Sequence, residues 1–282
     1  MVLPQIIVFS PFIKISFGIS LNNMSKPKQV VSIHPNYKHL TSEILDEINN
    51  VNGNDDHVFN NGRNLIAKVE IQSEKISIKS FKIPSGFNAV VYKYFRKSKA
   101  KRSYEYANKL LKADILTPFP IAYIEEFSLF GLKRSFYLSK HIDYDFDFRA
   151  LIHNPRFPDR ENILKQFTEF TFKLHDNNIN FLDHSPGNTL INKVSDGNYN
   201  FYLIDLNRMQ FKTMDFDKRM HNFRRLWLSK AMIKIMAARY AVLYDKAFEE
   251  THALMLKYSR AFQKKVDAKK LRRSGRTMWF KS

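Results

Sequence analysis

The sequence predicts an α+β fold with two lobes: a small β-rich N-terminal lobe that carries one helix, and a mostly helical C-terminal lobe. Short β-prone runs separated by turn residues occupy most of the stretch between residues 65 and 141, whereas apolar residues recur with helical spacing after residue 158. A basic segment of helical pattern near residue 105 interrupts the strands. The chain has 282 residues, of which 44% are hydrophobic, so it can bury a substantial core.

The N-terminal lobe is predicted to contain a hairpin formed by residues 65–70 and 75–81. Side chains alternate between the two faces of a strand, which places Lys79 on the polar face of the second strand. A lysine there would be suited to neutralising nucleotide phosphates. Lys82 and Lys93 lie near it in sequence, and a lysine on a strand is often only solvated.

A helix is predicted to follow the basic run at residues 93–102, which has six basic residues in ten. This run could form a solvated helical face or a docking patch for an acidic substrate. Glu105 is the acidic residue of this helix that is available to pair with Lys79. A surface pair with Lys101 or Lys109 is the alternative for Glu105.

Two further strands are predicted at residues 121–127 and 136–141, and the pattern then changes from strands to helices. We place the hinge between the lobes at residues 142–147. A long helix is predicted from residue 158 to residue 176, where apolar residues form one stripe. It leads directly to Asp183.

The most informative segment is Asp183-His184-Ser185-Pro186-Gly187-Asn188, which is followed by a hairpin that ends at Asp205. The turn is predicted at Asp196-Gly197, because Asp-Gly is a strong hairpin-turn dipeptide. If these are the two turn residues, Asn188 and Asp205 face each other across the hairpin with their Cβ atoms roughly 5 Å apart.

These residue types suit phosphoryl transfer. Mg²⁺ prefers hard oxygen ligands, which the amide of Asn188 and the carboxylate of Asp205 provide. Asp183 is placed to accept the proton of an attacking hydroxyl. The alternative is that the Asp and Asn residues cap turns in an ordinary α+β domain.

Composition excludes several other kinds of protein. The chain has no cysteine, which excludes disulfides, thiolate catalysis and Cys-based zinc sites. The nine histidines are not spaced as zinc ligands, and no apolar segment reaches the roughly 20 residues of a membrane-spanning helix. The net charge of +19 predicts attraction to a nucleotide, a nucleic acid or an anionic membrane surface. No module for specific nucleic-acid recognition is visible.

Four segments follow from these patterns. Residues 1–23 are expected to be a weakly ordered or mis-assigned extension, residues 24–141 the N-terminal lobe and residues 142–256 the C-terminal lobe. Residues 257–282 form a basic tail with ten basic residues against one acidic residue. Such a tail suits a membrane interface or another anionic partner. A frayed, solvated terminus is equally compatible with the pattern.

Taken together, five segments resemble the lipopolysaccharide kinase (Kdo/WaaP) family: Lys79, Lys97–Glu105, Thr117–Pro120, Asp183–Asn188 and Leu203–Met209. The resemblance extends over about residues 30 to 240. It implies a bilobal protein-kinase-like fold and transfer of the γ-phosphoryl group of ATP to a sugar hydroxyl of the lipopolysaccharide inner core, a Kdo or heptose unit. By this resemblance Asp183 is the catalytic base, Asn188 and Asp205 hold Mg²⁺, and Lys79 with Glu105 positions the nucleotide.

The sequence departs from the protein-kinase pattern in four places. No G-x-G-x-x-G is present, and the nearest glycine turn is at Asn60–Asn64. Phe181 stands where protein kinases carry His, and Leu206-Asn207 follows the metal-binding aspartate in place of Phe-Gly. The A-P-E segment is also missing, which disfavours regulation by an activation loop and favours a small-molecule or glycolipid acceptor.

The resemblance implies ATP and Mg²⁺ as cofactors and an anionic glycolipid as the acceptor. It also implies a cytoplasmic protein in peripheral contact with the inner face of the membrane. Two alternatives remain from the sequence: a kinase of another small molecule or of a protein, and an inactive pseudokinase or nucleic-acid-binding scaffold. The sequence specifies neither the acceptor hydroxyl nor the oligomeric state.

Overall fold

A six-stranded antiparallel sheet forms the N-terminal part of the computed structural model, which describes residues 28–51, 58–61, 64–82, 96–129 and 131–279. The strands lie in the order β1-β5-β6-β4-β3-β2. Their bounds are Lys28–Ile33 (β1), Val58–Asn61 (β2), Asn64–Ile71 (β3), Glu74–Phe81 (β4), Pro120–Ser128 (β5) and Gly131–Lys140 (β6). The hairpin predicted at residues 65–81 is confirmed as β3 and β4, with its turn at Gln72 and Ser73.

Two helices cover opposite faces of this sheet. Helix α1 (Thr41–Asn50) packs against a cluster that contains Phe136 and Leu138 of β6. Tyr137, which lies between them, belongs instead to the cluster under helix α2 (Lys99–Lys112). Since successive strand residues point to opposite faces, α1 and α2 lie on opposite sides of the sheet.

Helix α2 is the helix that the sequence predicts around Glu105. It begins after Ser98, whose hydroxyl accepts a hydrogen bond of 3.0 Å from the backbone N–H of Lys101 and so caps the helix. Ala100, Ala107 and Leu110 are buried at its face towards the sheet. The amphipathic pattern of the segment therefore places its basic residues away from the core.

The C-terminal part is mostly helical. Its helices are α3 (Arg149–His153), α4 (Arg160–Asp176), α5 (Phe216–Asn222), α6 (Lys230–Tyr244) and α7 (Phe248–Trp279). Its short strands are β7 (Phe146–Asp147), β8 (Ile179–Phe181), β9 (Thr189–Ser195), β10 (Asn198–Leu203) and β11 (Met209–Phe211). They form a three-stranded sheet, β10-β9-β7, and a two-stranded sheet, β11-β8. The predicted α+β class, with strands first and helices after, is confirmed.

The chain passes from the large sheet to the helical part over residues 141 to 147. The N–H of His141 still donates to the carbonyl of Lys75 in the large sheet, at 2.8 Å. Four residues later the N–H of Asp145 donates to the carbonyl of Ile191 in β9, at 3.1 Å. The crossing therefore occupies the segment in which the sequence changes its pattern.

The two parts share an apolar cluster. It joins the face of α2, the sheet, the end of α4 and the segment around residues 181–209, through Phe81, Ala100, Ala107, Leu110, Ile115, Tyr137, Leu174, Ile179, Phe181, Leu203, Leu206 and Met209. Because these residues are buried together, the strand that carries Lys79 and the loops that carry Asp183 and Asp205 are held against one another.

The predicted boundary at residue 257 is not a structural boundary, because α7 runs without interruption from Phe248 to Trp279. Residues 257–273 contain no proline or glycine and are rich in Lys, Arg and Ala, which are good helix formers. No helix within the described residues has the length and apolar character needed to cross a membrane. The predicted extension at residues 1–23, the glycine turn at Gly62-Arg63 and Lys93 lie outside the described residues.

Candidate active site

The loop that carries Asp183 is fixed at both ends by backbone hydrogen bonds. Strand β8 leads into it, and the N–H of Leu182 donates to the carbonyl of Arg208 at 3.0 Å. The loop closes in a 3₁₀ turn at Pro186–Asn188. The side-chain amide of Asn188 donates from Nδ2 to the carbonyl of Asp183 at 2.8 Å, which leaves its Oδ1 atom available as an acceptor.

The predicted pairing of Asn188 with Asp205 across the hairpin is displaced by one residue. Thr189 pairs with Leu203, and the N–H of Ile204 donates to the carbonyl of Asn188 at 3.0 Å. Asp205 therefore lies one residue beyond the position opposite Asn188.

The displacement arises at the turn. Only Gly197 of the two turn residues has a positive φ, of 73°. The hairpin is then irregular beside Asn198 and Tyr199, where Ser195 pairs with Asn198 but Lys193 pairs with Tyr199. A bulge of this kind adds one residue to one strand and shifts every later pair.

Asp205 ends the hairpin in the left-handed region, with φ of 57°, which aspartate tolerates better than most residues. Its Oδ1 atom accepts a hydrogen bond from Asn207 Nδ2 at 2.5 Å and lies 3.0 Å from Lys79 Nζ. The Lys79 side chain is 17% exposed and that of Asp205 is 31% exposed. Asp205 and Lys79, which the sequence singles out separately, are thus in direct contact.

Asn188 and Asp205 fit Mg²⁺ by the chemistry of their donor atoms. Asn188 Oδ1 is not used in the bond to Asp183, and the second carboxylate oxygen of Asp205 is not used in the contacts with Asn207 and Lys79. One amide and one carboxylate oxygen match a cation that takes one or two ligands from the protein and the rest from phosphate and water. Within the described residues no group of three or more His, Cys, Asp or Glu side chains could hold a metal ion.

The ion pair predicted between Lys79 and Glu105 is not formed in this structure. Glu105 accepts hydrogen bonds from Lys97 Nζ at 2.9 and 2.7 Å, and these raise the pKa of Lys97. Lys79 pairs with Asp205 instead. The predicted alternatives for Glu105, Lys101 and Lys109, are not its partners either, because Lys97 reaches it from the segment just before the helix.

A cleft of about 450 Å³ opens beside this pair, between the large sheet and the β9–β10 hairpin. Ile66 and Ala67 line it from the sheet, and Leu190 and Ile204 from the hairpin side. Its charges come from Lys68, Lys79 and Asp205. Apolar walls with a few convergent polar groups are typical of a cofactor pocket, and the volume suits a nucleotide.

Asp183 is held by two arginines to which the sequence analysis gave no role. Arg225 Nη2 lies 2.7 Å from Oδ1 of Asp183, and Arg208 Nη1 lies 3.8 Å from Oδ2. Arg208 belongs to the Leu203–Met209 segment that resembles the family, and its place in that segment could have identified it as a site residue. Arg225 stands in a basic helical stretch with no pattern that separates it from its neighbours.

Arg149 is a further residue that sequence reasoning missed. A methyl group at Gly187 would lie 1.8 Å from Arg149 Nη2, so the absence of a side chain at residue 187 allows this guanidinium to approach the loop. No sequence pattern links helix α3 to this loop.

A network of buried hydrogen bonds supports the same loop. Asn222 Nδ2 donates to the carbonyl of Phe181 at 2.9 Å, so its Oδ1 is the acceptor for His184 Nδ1 at 2.9 Å and His175 Nε2 at 3.1 Å. Both histidines are fully buried. Burial lowers the pKa of His184 to about 4 and that of His175 to about 3, and both are therefore neutral near pH 7.

The profile of the lipopolysaccharide kinase (Kdo/WaaP) family matches residues 87–246, more than half of the chain. The chain belongs to this family. The matched residues include Glu105, Asp183, Asn188 and Asp205, whereas Lys79 precedes them. The resemblance to Kdo/WaaP kinases stated from the sequence is thereby confirmed.

Structural comparison confirms the kinase-like fold of this Kdo/WaaP family member. A solved structure described as WaaP in complex with acyl carrier protein is similar to it with a TM-score of 0.60 and 14% sequence identity. The similarity covers 83% of this chain and 98% of the other. None of the curated protein sequences matches the chain.

Proposed function

We propose that the protein transfers the γ-phosphoryl group of ATP, with Mg²⁺, to a sugar hydroxyl of the lipopolysaccharide inner core, on a Kdo or heptose unit. The observation that carries the proposal is the contact of Lys79 with Asp205 at the cleft, with Asn188 joined to the adjacent residue by a backbone hydrogen bond. In a chain of the lipopolysaccharide kinase family, this is the arrangement that nucleotide phosphates with a divalent cation require.

Each residue has a distinct role in this proposal. Lys79 binds the phosphates of ATP, and Asn188 and Asp205 hold Mg²⁺, which would neutralise charge on the phosphates. Asp183 orients the acceptor hydroxyl and takes its proton as the oxygen attacks the γ-phosphorus. The bond from that phosphorus to the bridging oxygen breaks, and ADP leaves with the bonding electrons.

The charge of the protein supports an anionic acceptor at a membrane surface. The net charge is +19, and Lys264, Lys265, Lys269 and Lys270 are exposed on α7. Basic segments are attracted to anionic lipid headgroups by about 1 kcal/mol per residue. We therefore propose peripheral contact with the inner face of the cytoplasmic membrane, where ATP is available.

The test is a transfer assay with purified protein, γ-labelled ATP and Mg²⁺. Lipid A that carries Kdo and heptose units is the acceptor, and lipid A without sugars, an aminoglycoside and a basic protein are the comparison acceptors. We expect label only on the glycolipid with core sugars, and none when Mg²⁺ is chelated. Label on another acceptor would indicate a different kinase. Salt-sensitive RNA binding without ATP turnover would indicate a pseudokinase.

A further inference from the structure

Two arginines contact Asp183, and a third adjoins one of them in the chain. Arg208 and Arg225 both contact the carboxylate of Asp183, at 3.8 and 2.7 Å. Arg224 precedes Arg225 in the same 3₁₀ turn, Phe223–Arg225. Its pKa is lowered first by burial and then by the charges of Arg225 and Arg208. The three guanidinium groups thus form one cluster, which we call the arginine cluster.

The arginine cluster is not balanced by acidic side chains. Among the residues that the structure describes, Asp183 is the one carboxylate within 4.0 Å of Arg208 or Arg225, and no carboxylate lies that close to Arg224. The cluster therefore brings together three positive charges and a single negative one. Like charges held together are destabilising unless an anion joins them, particularly where water is partly excluded.

Holding Asp183 in place does not account for the whole cluster. Arg225 alone makes a hydrogen-bonded ion pair with Asp183, whereas the Arg208 contact exceeds the range of an N–H···O hydrogen bond. The Arg208 side chain is 54% exposed and open to a ligand. Arg224 Nη1 donates to the carbonyl of His221 at 2.8 Å and lies 3.2 Å from Nδ1 of the same residue.

Strand pairing and aromatic packing surround the cluster. Pairing of β11 with β8 sets Arg208 next to the loop, and Arg225 packs its guanidinium 5.4 Å from the ring of Phe262 on α7. Trp227 packs on the same ring at 5.9 Å and has a φ of 56°, an uncommon conformation for a bulky residue. The Nε atom of Arg225 is buried without a hydrogen-bond partner in the described part of the chain. Strain and unsatisfied polar groups of this kind concentrate at functional sites.

We infer that the arginine cluster binds an acidic group, a carboxylate or a phosphate, carried by the acceptor sugar near the hydroxyl that Asp183 receives. This inference rests on the proposed function. Guanidinium groups bind both anions through paired N–H donors. An acceptor anchored there would present its hydroxyl to the base, so that only sugars with an acidic group near the attacked position would be aligned.

Equilibrium binding of small probes tests the inference. The probes are the methyl glycoside of Kdo, the methyl ester of that compound, a hexose phosphate and the parent hexose. Calorimetry or ligand-observed NMR gives their dissociation constants with the wild-type protein, with Arg208→Gln and Arg224→Gln, and with Lys234→Gln as an exposed control on α6. Thermal melting verifies that each variant is folded, and Arg208→Lys replaces Arg208→Gln if that variant does not fold.

We expect the wild-type protein to bind one of the two acidic probes at least about 10-fold more tightly than its neutral counterpart, a difference of about 1.4 kcal/mol. Each arginine variant should lose most of this preference, Arg208→Lys should keep part of it, and the control should keep it all. Whether the carboxylate or the phosphate probe binds identifies the acidic group. The inference would be overturned if the wild-type protein bound each acidic probe and its neutral counterpart equally tightly. It would also be overturned if both arginine variants kept the full preference for the acidic probe.

The transfer assay separates this result from the proposed function. Preference for an acidic probe without label transfer to any glycolipid would retain the anion site and reject the kinase activity. Label transfer without any acidic preference would retain the kinase activity and reject the anion site.

Discussion

At the scale of single residues, the ammonium group of Lys79 lies next to the carboxylate of Asp205 and not next to that of Glu105. Lys79 and Asp205 neutralise each other at 3.0 Å, and Glu105 neutralises Lys97 at 2.7 Å. An incoming phosphate can take the place of the carboxylate beside Lys79, because both are anions that a lysine binds through N–H donors. The proposed nucleotide site therefore does not need Glu105 to balance the charge of Lys79.

Lys79→Gln and Glu105→Gln should differ in ATP affinity. A hydrogen bond to a charged group contributes about 1.5–3 kcal/mol, so loss of the Lys79 contact should raise the dissociation constant for ATP by about 10-fold or more. Glu105→Gln should change it by less than about 3-fold, because Glu105 bonds to Lys97. Titration of a fluorescent ATP analogue measures both values. An equal loss in the two variants would show that Glu105 turns to Lys79 when nucleotide binds.

Asp183→Asn should separate catalysis from nucleotide binding. A positioned base contributes about 10²- to 10⁴-fold to rate, and we expect kcat to fall by that factor. ATP affinity should stay within about 2-fold, because Asp183 contacts Arg208 and Arg225 rather than Lys79. Asp205→Ala is the matched variant, which should also lose the dependence of ATP binding on Mg²⁺. Near-normal turnover by Asp183→Asn would show that another group is the base.

Elements position these residues through contacts that are long-range in sequence. Asn222 ends α5 and is 1% exposed, and its amide binds the backbone of β8 and both buried histidines. The carbonyl of Phe181, two residues before Asp183, accepts from this amide at 2.9 Å and from the backbone N–H of His184 at 3.2 Å. Helix α5 therefore helps to fix the position of the loop that carries Asp183.

Asn222→Ala should destabilise the protein by about 2–4 kcal/mol, because it leaves several buried polar groups without partners. Urea unfolding at pH 7.5 measures the loss. Asn177→Ala is the control: it removes one exposed bond to the carbonyl of Lys173 at the end of α4, and we expect less than about 1 kcal/mol. A loss below 1 kcal/mol for Asn222→Ala would show that water replaces the amide.

The sequence predicts those elements of secondary structure that depend on residues close together in the chain. The strands around Lys79, the helix around Glu105 and the Asp196-Gly197 turn follow from alternation, helical spacing and turn chemistry, and all are observed. The one-residue bulge beside that turn was not predicted, because Asp196 does not take the positive φ that the predicted two-residue turn requires.

Side-chain partners across the fold were less predictable. The pairing of Asp183 with Arg225 depends on where α5 ends relative to β8, which no residue pattern encodes. The same holds for Lys97, which lies closer to Glu105 than any partner suggested by helical spacing. Contacts of this kind are set by tertiary packing, which overrides local preference.

At the scale of the whole molecule, the two lobes and the active site share buried polar and apolar groups. The cluster that contains Phe81, Leu174 and Phe181 joins the sheet to the helical part. Below it, His175 of α4 accepts a hydrogen bond from the hydroxyl of Tyr240 on α6 at 3.0 Å, because its Nε2–H is donated to Asn222. Protonation of His175 would turn its Nδ1 atom from an acceptor into a donor and so break the bond from Tyr240. The packing of the helical core therefore requires a neutral imidazole at this position.

The free energy of unfolding should therefore fall in acid. Above the ordinary histidine pKa of about 6.5, His175 and His184 are neutral in both states, and pH has no effect through them. As pH falls below that value, the unfolded chain binds protons that the folded protein does not, since burial lowers the folded pKa values to about 3 and about 4. The two groups together should cost on the order of 4 kcal/mol by pH 5. Urea unfolding at constant ionic strength between pH 5 and 8 measures how the free energy of unfolding changes with pH. Below pH 6 this slope should correspond to an uptake of about two protons on unfolding. His184→Asn, whose amide can still donate to Asn222, should lower that slope by about one proton. A flat profile in the wild-type protein over this range would show that neither imidazole is held neutral in the fold.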